Sequence, residues 1–223
     1  MVAWSGGKDA CWALHRVKEE GYHLPVGLFA SFDSKSGKVP FHGVPASLLK
    51  SQARSLGLPI DLIDVGGTPS NAEYEKAIGA YFDRLAKRNI YGIIYGDVFL
   101  EDVRDYKIEL CKKHGLETFF PLWGEKTENL AMSMILAGLR AVVCSVDPQQ
   151  VNPIMLGHPF DAQFINSLKA DVDPCGENGE YHTFVVNAEG FRFPIDIMHI
   201  GRSQRKGMEM LEIFPYDRNV GES

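Results

Sequence analysis

Three short segments of this chain concentrate residue types that handle charge and protons. The first is Ser5-Gly6-Gly7-Lys8-Asp9. It follows a short apolar start, Met1 to Trp4, and precedes an amphipathic stretch, Ala10 to Glu20. Strand, glycine turn, helix is a geometry that holds a phosphate chain. Two successive glycines let the backbone approach an anion with no Cβ in the way. Their N–H groups and the positive end of the helix dipole favour negative charge there, and Lys8 adds a cation. A nucleotide site is therefore the leading expectation. Other phosphate loops are excluded: Gly7-Lys8 is followed by Asp9 and Gly37-Lys38 by Val39, so no G-x-x-x-x-G-K-[ST] occurs, and there is no G-x-G-x-x-G.

The second segment, Gly96-Asp97-Val98-Phe99-Leu100-Glu101-Asp102, follows the apolar run Ile90–Tyr95. That places Gly96 and Asp97 at a strand C-terminus, where open α/β sheets hold their ligands. Asp97 is a candidate for Mg²⁺ or for a substrate ammonium. Glu101 and Asp102 suit the first turn of the following helix. The third segment is Asp173-Pro174-Cys175-Gly176-Glu177-Asn178-Gly179-Glu180-Tyr181-His182-Thr183. Its two glutamates and histidine can bind an amine, orient a nucleophile or move a proton. If a strand begins here, Glu180 and His182 share a face; the competing reading is a β-turn with solvated charges.

The elements that must carry these segments alternate through the first half. Strands are expected at Val2–Trp4, Val26–Phe32, Ile60–Val65, Ile90–Tyr95 and Thr118–Leu122. Helices are expected at Asp9–Glu20 with Asp9 as N-cap, Pro45–Leu56, Asn71–Arg88 and Glu101–His114. Tyr74, Ile78, Tyr81, Phe82 and Leu85 fall on one stripe of the third helix. This alternation implies an α/β fold, a parallel sheet with helices on both faces. After Trp123-Gly124 the character changes. Helices at Thr127–Gly138 and Phe160–Leu168, a strand at Arg140–Val146 and a turn-rich β stretch from Ala170 read as a smaller C-terminal α+β domain. The expected division is 1–125 and 126–223.

With the segments set out, the chain resembles the PP-loop ATP pyrophosphatases, whose phosphate loop reads S-G-G-x-D-S. Together with G-D-x-F-L-E-D, Pro121-Leu122-Trp123 and G-E-N-G-E-Y-H-T, the match narrows to the family of diphthine–ammonia ligase and its bacterial relatives, over essentially the whole chain. The resemblance implies a HUP-type nucleotide domain with the active site between it and the smaller domain. It implies ATP with Mg²⁺ as cofactors, cleavage between the α and β phosphates, and an adenylated carboxylate that ammonia or an amine converts to an amide. Carried over residue by residue, it puts Ser5, Gly6, Gly7, Lys8 and Asp9 around the pyrophosphate, with His42 and Gly96 also expected in the nucleotide site. Asp9 and Asp97 are the expected metal residues. Lys8, Asp97, Glu177, Glu180 and His182 are the expected catalytic set, and loss of Lys8 is expected to abolish AMP formation. Two departures stand out. Ala10 replaces the loop's last serine. Asn178 and His182 stand where the family pattern has glycine and glutamate, which removes a negative charge and suits a different acceptor.

Totals narrow the remaining choices. The 223 residues carry a net charge of −6, which provides no global field for nucleic acid or anionic lipid. Cys11, Cys111, Cys144 and Cys175 are scattered without a C-x-x-C, as in a reduced, cytoplasmic protein without a zinc ribbon. No apolar run spans a bilayer and no leader precedes the first strand, so no membrane partner is expected. A homodimer is compatible with this reading. His42 reads equally as a loop histidine, Trp123 as an interface aromatic, Cys175 as structural, and Arg202, Arg205 and Lys206 as a solvated turn. The rival functions are a tRNA-modifying PP-loop enzyme and a non-catalytic nucleotide sensor.

Overall fold

The computed structural model describes residues 1–216, apart from 41 and 68. Nine strands and six α-helices are found among them: β1 (Val2–Ala3), α1 (Lys8–Glu20), β2 (Leu28–Phe32), α2 (Ala46–Leu56), β3 (Ile60–Asp64), α3 (Asn71–Lys87), β4 (Gly92–Ile94), α4 (Glu101–Lys113), β5 (Glu117–Phe119), α5 (Thr127–Leu136), β6 (Arg140–Val146), α6 (Ala162–Ser167), β7 (Tyr181–Asn187), β8 (Ile197–Arg205) and β9 (Met208–Pro215). The first five strands form one parallel sheet in the order β3-β2-β1-β4-β5. The last four form a separate antiparallel sheet in the order β7-β6-β9-β8.

Alternation along the strands sorts side chains onto the two faces of the parallel sheet. Val2, Leu28 and Ala30 pack with α1 and α2, against Cys11, Leu14, Leu48 and Leu49. Phe29, Ile63 and Ile93 pack with α3 and α4, against Ile78, Phe82, Leu85 and Leu110. The expected stripe on α3 is thus buried from Ile78 to Leu85, with Tyr74 partly buried beside it. Its start is secured by a capping box: Ser70 Oγ accepts from Glu73 N, and Glu73 Oε2 accepts from Ser70 N at 2.8 Å.

The first of these cores does not stop at the parallel sheet. It continues without a break into Leu130, Met134, Val143, Phe164, Phe184 and Ile213 of the C-terminal region. The antiparallel sheet therefore sits on the α1–α2 side. Strands are shorter than the sequence suggested: Ile90–Tyr95 contracts to three residues and Thr118–Leu122 shifts to Glu117–Phe119. Apolar runs at strand ends continue into the loops over the core, so hydrophobicity overstates the paired length. Asp9 is not the N-cap of α1. Gly7 holds that position, and Asp9 lies in the first turn. A 3-10 turn at Pro153–Met155 was not foreseen.

Candidate active site

β1 and β4 are neighbours from which the chain departs to opposite sides of the sheet. Open α/β sheets leave a crevice at such a switch point. Ser5–Asp9 leaves β1 there, and Gly96–Leu100 leaves β4 beside it. The resulting cleft has a volume of about 630 Å³, large enough for a nucleotide-sized ligand. One side is lined by Ser5, Lys8, Asp9, Gly96 and Asp97, the other by Cys175, Glu177, His182 and Thr183 of the C-terminal region.

The phosphate loop is held from behind by buried polar contacts. Gly6 has φ +82°, a conformation that glycine adopts without steric cost. Gln52, fully buried on α2, donates Nε2 to the carbonyls of Gly6 (3.0 Å) and Val185 (2.7 Å). Its Oε1 accepts from Trp4 Nε1 at 2.8 Å. Gly6 O also accepts from Val185 N at 2.9 Å. One amide side chain therefore ties β1, the loop and β7 together. Sequence reasoning passed over Gln52, although a glutamine inside the apolar stripe Leu48, Leu49, Ala53, Leu56 was a visible signal. On the cleft side, Gly7 N donates to Ser5 Oγ (3.2 Å) and Lys8 N to Thr183 Oγ1 (3.1 Å). These two hydroxyls meet the loop, whereas Ala10 is buried and brings none.

Lys8 lines the cleft but its side chain is almost wholly buried. Its Nζ donates to Asp9 Oδ2 at 2.9 Å and to the carbonyl of Cys175. Burial opposes the charge on this ammonium, but Asp9 and the other acidic neighbours outweigh it and raise its pKa. Asp9 itself is pushed up by burial, against the pull of Lys8. Its second oxygen, Oδ1, is buried with no hydrogen-bond partner. An orphaned carboxylate oxygen beside a phosphate loop suits Mg²⁺, which binds through one or two carboxylates plus substrate phosphates. No cluster of three metal-ligating side chains exists among the described residues, so the donors beyond Asp9 would come mainly from the nucleotide and water.

Asp97 is placed in the cleft as expected, but both its oxygens accept from Lys107 Nζ on α4, at 2.6 and 2.7 Å. The sequence reading missed Lys107, which lies ten residues away and across a turn. The Lys107 charge beside it competes with any cation for this carboxylate. Gly96 packs its Cα against the first turn of α1. A Cβ there would lie 2.7 Å from the carbonyl carbon of Asp9 and 2.9 Å from Ala10 N.

Glu177 reaches across from the C-terminal side, and its Oε2 accepts from Val98 N at 3.2 Å. Burial pushes its carboxyl up to about 8, with Asp9 adding to the shift, so it is poised to exchange a proton near neutrality. His42 and His182 both line the cleft, with ring centroids 4.5 Å apart and planes at 30°. Burial lowers His42 to about 4 and His182 well below its ordinary value, so both imidazoles are neutral.

Glu180 differs from the expectation. It does not face the cleft with His182, because it stands just before β7 on a loop that turns inward. It is 1% exposed, and its carboxylate accepts from Asp173 N (2.9 Å), Asn178 N (2.9 Å) and Asn178 Nδ2 (3.0 Å). Its place is to shape the 173–180 segment. Truncation to alanine leaves two backbone donors without their acceptor, and a destabilisation of about 2–4 kcal/mol is expected from thermal or urea unfolding; an unchanged midpoint would contradict this placement. Cys175 is buried, with its thiol donating to Thr127 O at 3.4 Å and pushed up by burial, as a structural cysteine should be. All four cysteines are free and buried. Arg205 is not merely solvated, since it donates to Gly67 O at 3.2 Å.

A HUP-type parallel sheet with a glycine phosphate loop at its switch point defines a PP-loop ATP pyrophosphatase. Comparison with known proteins agrees. Residues 1–118 match the model of the diphthamide synthase N-terminal domain, and residues 126–216 that of the diphthamide synthase C-terminal domain. The chain belongs to the diphthamide synthase family. It is 26% identical over 208 residues to a diphthine–ammonia ligase of Schizosaccharomyces pombe, covering 84% of this chain but only 34% of that protein. It is 25% identical over 211 residues to the diphthine–ammonia ligases of Bos taurus and Homo sapiens, covering 84% of this chain and 78% of each relative. Among the described residues no helix is long and apolar enough to cross a membrane.

Proposed function

We propose that this protein is an ATP-dependent ligase of the diphthine–ammonia ligase type. It adenylates a carboxylate, releases pyrophosphate, and lets ammonia or an amine displace AMP to form an amide. The observation that carries this reading is the cleft itself. Ser5, Lys8 and Asp9 of the glycine loop line one wall with the neutral His42 against the loop, and Glu177, whose carboxyl is pushed up to about 8, lines the other with the neutral His182.

The proposed division of labour follows the two parts of the chain, 1–125 for the nucleotide and 126–223 for the acceptor. Ser5, Gly6 and Gly7 cradle the phosphates, with Gly96 keeping the floor of the site open and His42 against the loop. Mg²⁺, held by Asp9 with Asp97 in reserve, would neutralise phosphate charge during transfer. Glu177, in its ionised form, which is the major one only above about pH 8, takes a proton from the incoming ammonium and so frees its lone pair. His182, neutral and beside Thr183, offers a hydrogen bond to the acceptor without adding a charge. The carboxylate oxygen attacks the α phosphorus and the bond to the bridging oxygen of pyrophosphate breaks. The nitrogen then forms the C–N bond as AMP leaves. Cytoplasmic residence and the absence of a nucleic-acid partner complete the reading.

The test is to incubate the protein with Mg²⁺, ammonium, α-labelled ATP and a panel of carboxylates. AMP and pyrophosphate are expected in equal amounts. Formation of ADP would refute the reading, and so would binding without any turnover across the panel, which is the behaviour of a sensor. A tRNA-dependent release of AMP would move the protein to the base-modifying branch.

A further inference from the structure

Lys8 is the residue that the loop motif would most readily assign to the phosphates, and its surroundings point elsewhere. It is 1% exposed although it opens α1 at the edge of the cleft. An ammonium has three donors and no acceptor. One donor meets Asp9 Oδ2 at 2.9 Å and a second meets the carbonyl oxygen of Cys175. The cation also lies 5.2 Å from the ring centroid of Tyr181 and 5.6 Å from that of Phe160, within reach of both aromatic faces. The ion is thus enclosed by one carboxylate, one carbonyl and two rings, all of the protein.

What it encloses is the underside of the segment that carries Glu177. That segment fixes its own shape: Asp173 Oδ1 accepts from Cys175 N (2.9 Å) and Glu177 N (3.2 Å), and Tyr181 Oη donates to Pro174 O. Shape is not position, however. Besides the Cys175 thiol on Thr127 O, two bonds place it over the phosphate loop from the nucleotide layer: Lys8 to Cys175 O, and Val98 N to Glu177 Oε2. The lysine bond is charged and buried, and hydrogen bonds of that kind are the stronger.

We infer that Lys8 is a positioning residue, which clamps the 173–177 segment and hence Glu177 against the phosphate loop, and that the nucleotide phosphates are held without it. The inference rests on the reading of this cleft as a nucleotide site. It separates two steps that the loop motif alone would merge: phosphate binding by backbone and hydroxyl groups, and closure of the acceptor wall by the lysine.

The experiment compares the full-length protein with its Lys8→Met variant, which keeps the length of the side chain and removes the charge. Calorimetry with α,β-methylene-ATP and Mg²⁺ reads phosphate binding, and hydrogen exchange of residues 173–180 reads the clamp. The variant is expected to bind the analogue within about threefold of the wild type, while exchange in 173–180 accelerates by about tenfold or more. AMP formation should show the same split, with KM for ATP retained and kcat reduced. A loss of analogue affinity of about tenfold or more overturns the inference, and so does unchanged protection of 173–180. Should Lys8→Met not fold, Phe160→Leu removes one ring face while keeping both charges. It is held to the same two requirements, with exchange faster by about threefold. If the wild type itself takes up no analogue, the nucleotide reading has failed, and the exchange measurement still decides whether Lys8 is the clamp.

Discussion

Replacing Gly96 with alanine is expected to lower the melting temperature by roughly 5–10 °C and to abolish binding of α,β-methylene-ATP. The added Cβ would lie 2.7 Å from the carbonyl carbon of Asp9, 2.8 Å from its oxygen and 2.9 Å from Ala10 N. These are backbone atoms of the first turn of α1, and they cannot rotate aside as a side chain would. Either β4 or the start of α1 must move. β4 is fixed between β1 and β5 by parallel pairing, so the strain falls on α1 and its preceding loop. Overpacking of this kind costs about 2–3 kcal/mol, and the displaced loop no longer holds Ser5, Lys8 and Asp9 in place along the cleft. Differential scanning calorimetry and analogue titration check the two halves of the result. An alanine variant that melts and binds like the wild type would show that the close approach is not as described.

Substituting asparagine for Asp9 should reduce AMP formation by about 10²–10³-fold, the range found when a single group that stabilises a transition state is removed. Oδ2 of this carboxylate is taken by Lys8, and Oδ1 is buried without a partner. A buried anionic oxygen with nothing to accept from is costly in the free protein and becomes favourable when a cation arrives. Asparagine keeps the shape and a carbonyl for Lys8 but removes the charge. Mg²⁺-dependent tightening of analogue binding should therefore vanish, while Mg²⁺-independent binding remains. Calorimetry with and without Mg²⁺ distinguishes this from a general loss of the site. Normal Mg²⁺ dependence in the variant would remove Asp9 from the metal's coordination.

Much of the first half was legible because its signals are local. The stripe Ile78, Tyr81, Phe82, Leu85 repeats at helical spacing, and it is buried as expected. The order of elements followed from alternating periods of two and 3.6, and the parallel sheet followed from the alternation. The glycine loop could be placed at the C-terminal edge of the first strand because strand, Gly-Gly and helix adjoin in the chain. The C-terminal side of the cleft was harder. Glu180 and His182 look equivalent by parity, yet Glu180 points into its own loop and His182 into the cleft. The difference arises because β7 begins only at Tyr181, so the alternation rule does not yet apply at Glu180. Lys107 and Gln52 carried no motif. The first was found by the turn between β4 and α4, the second by the contact of α2 with β7.

By itself, then, the chain's order of residues settled the class of sheet, the place of the glycine loop after the first strand and the family, since each depends on neighbours within a few positions. Tertiary structure alone decided which charged groups are free to act. Whether Lys8 faces phosphate or protein depends on Cys175, 167 residues away, whereas whether Asp97 is open or held and whether Glu180 meets substrate or backbone depend on how a turn folds back on itself, through Lys107, Asp173 and Asn178. Burial then sets the charge of each group through desolvation. The Lys8 pairing is made by packing the second sheet onto α1 and α2, the other two by loop conformation, and no local period encodes any of them.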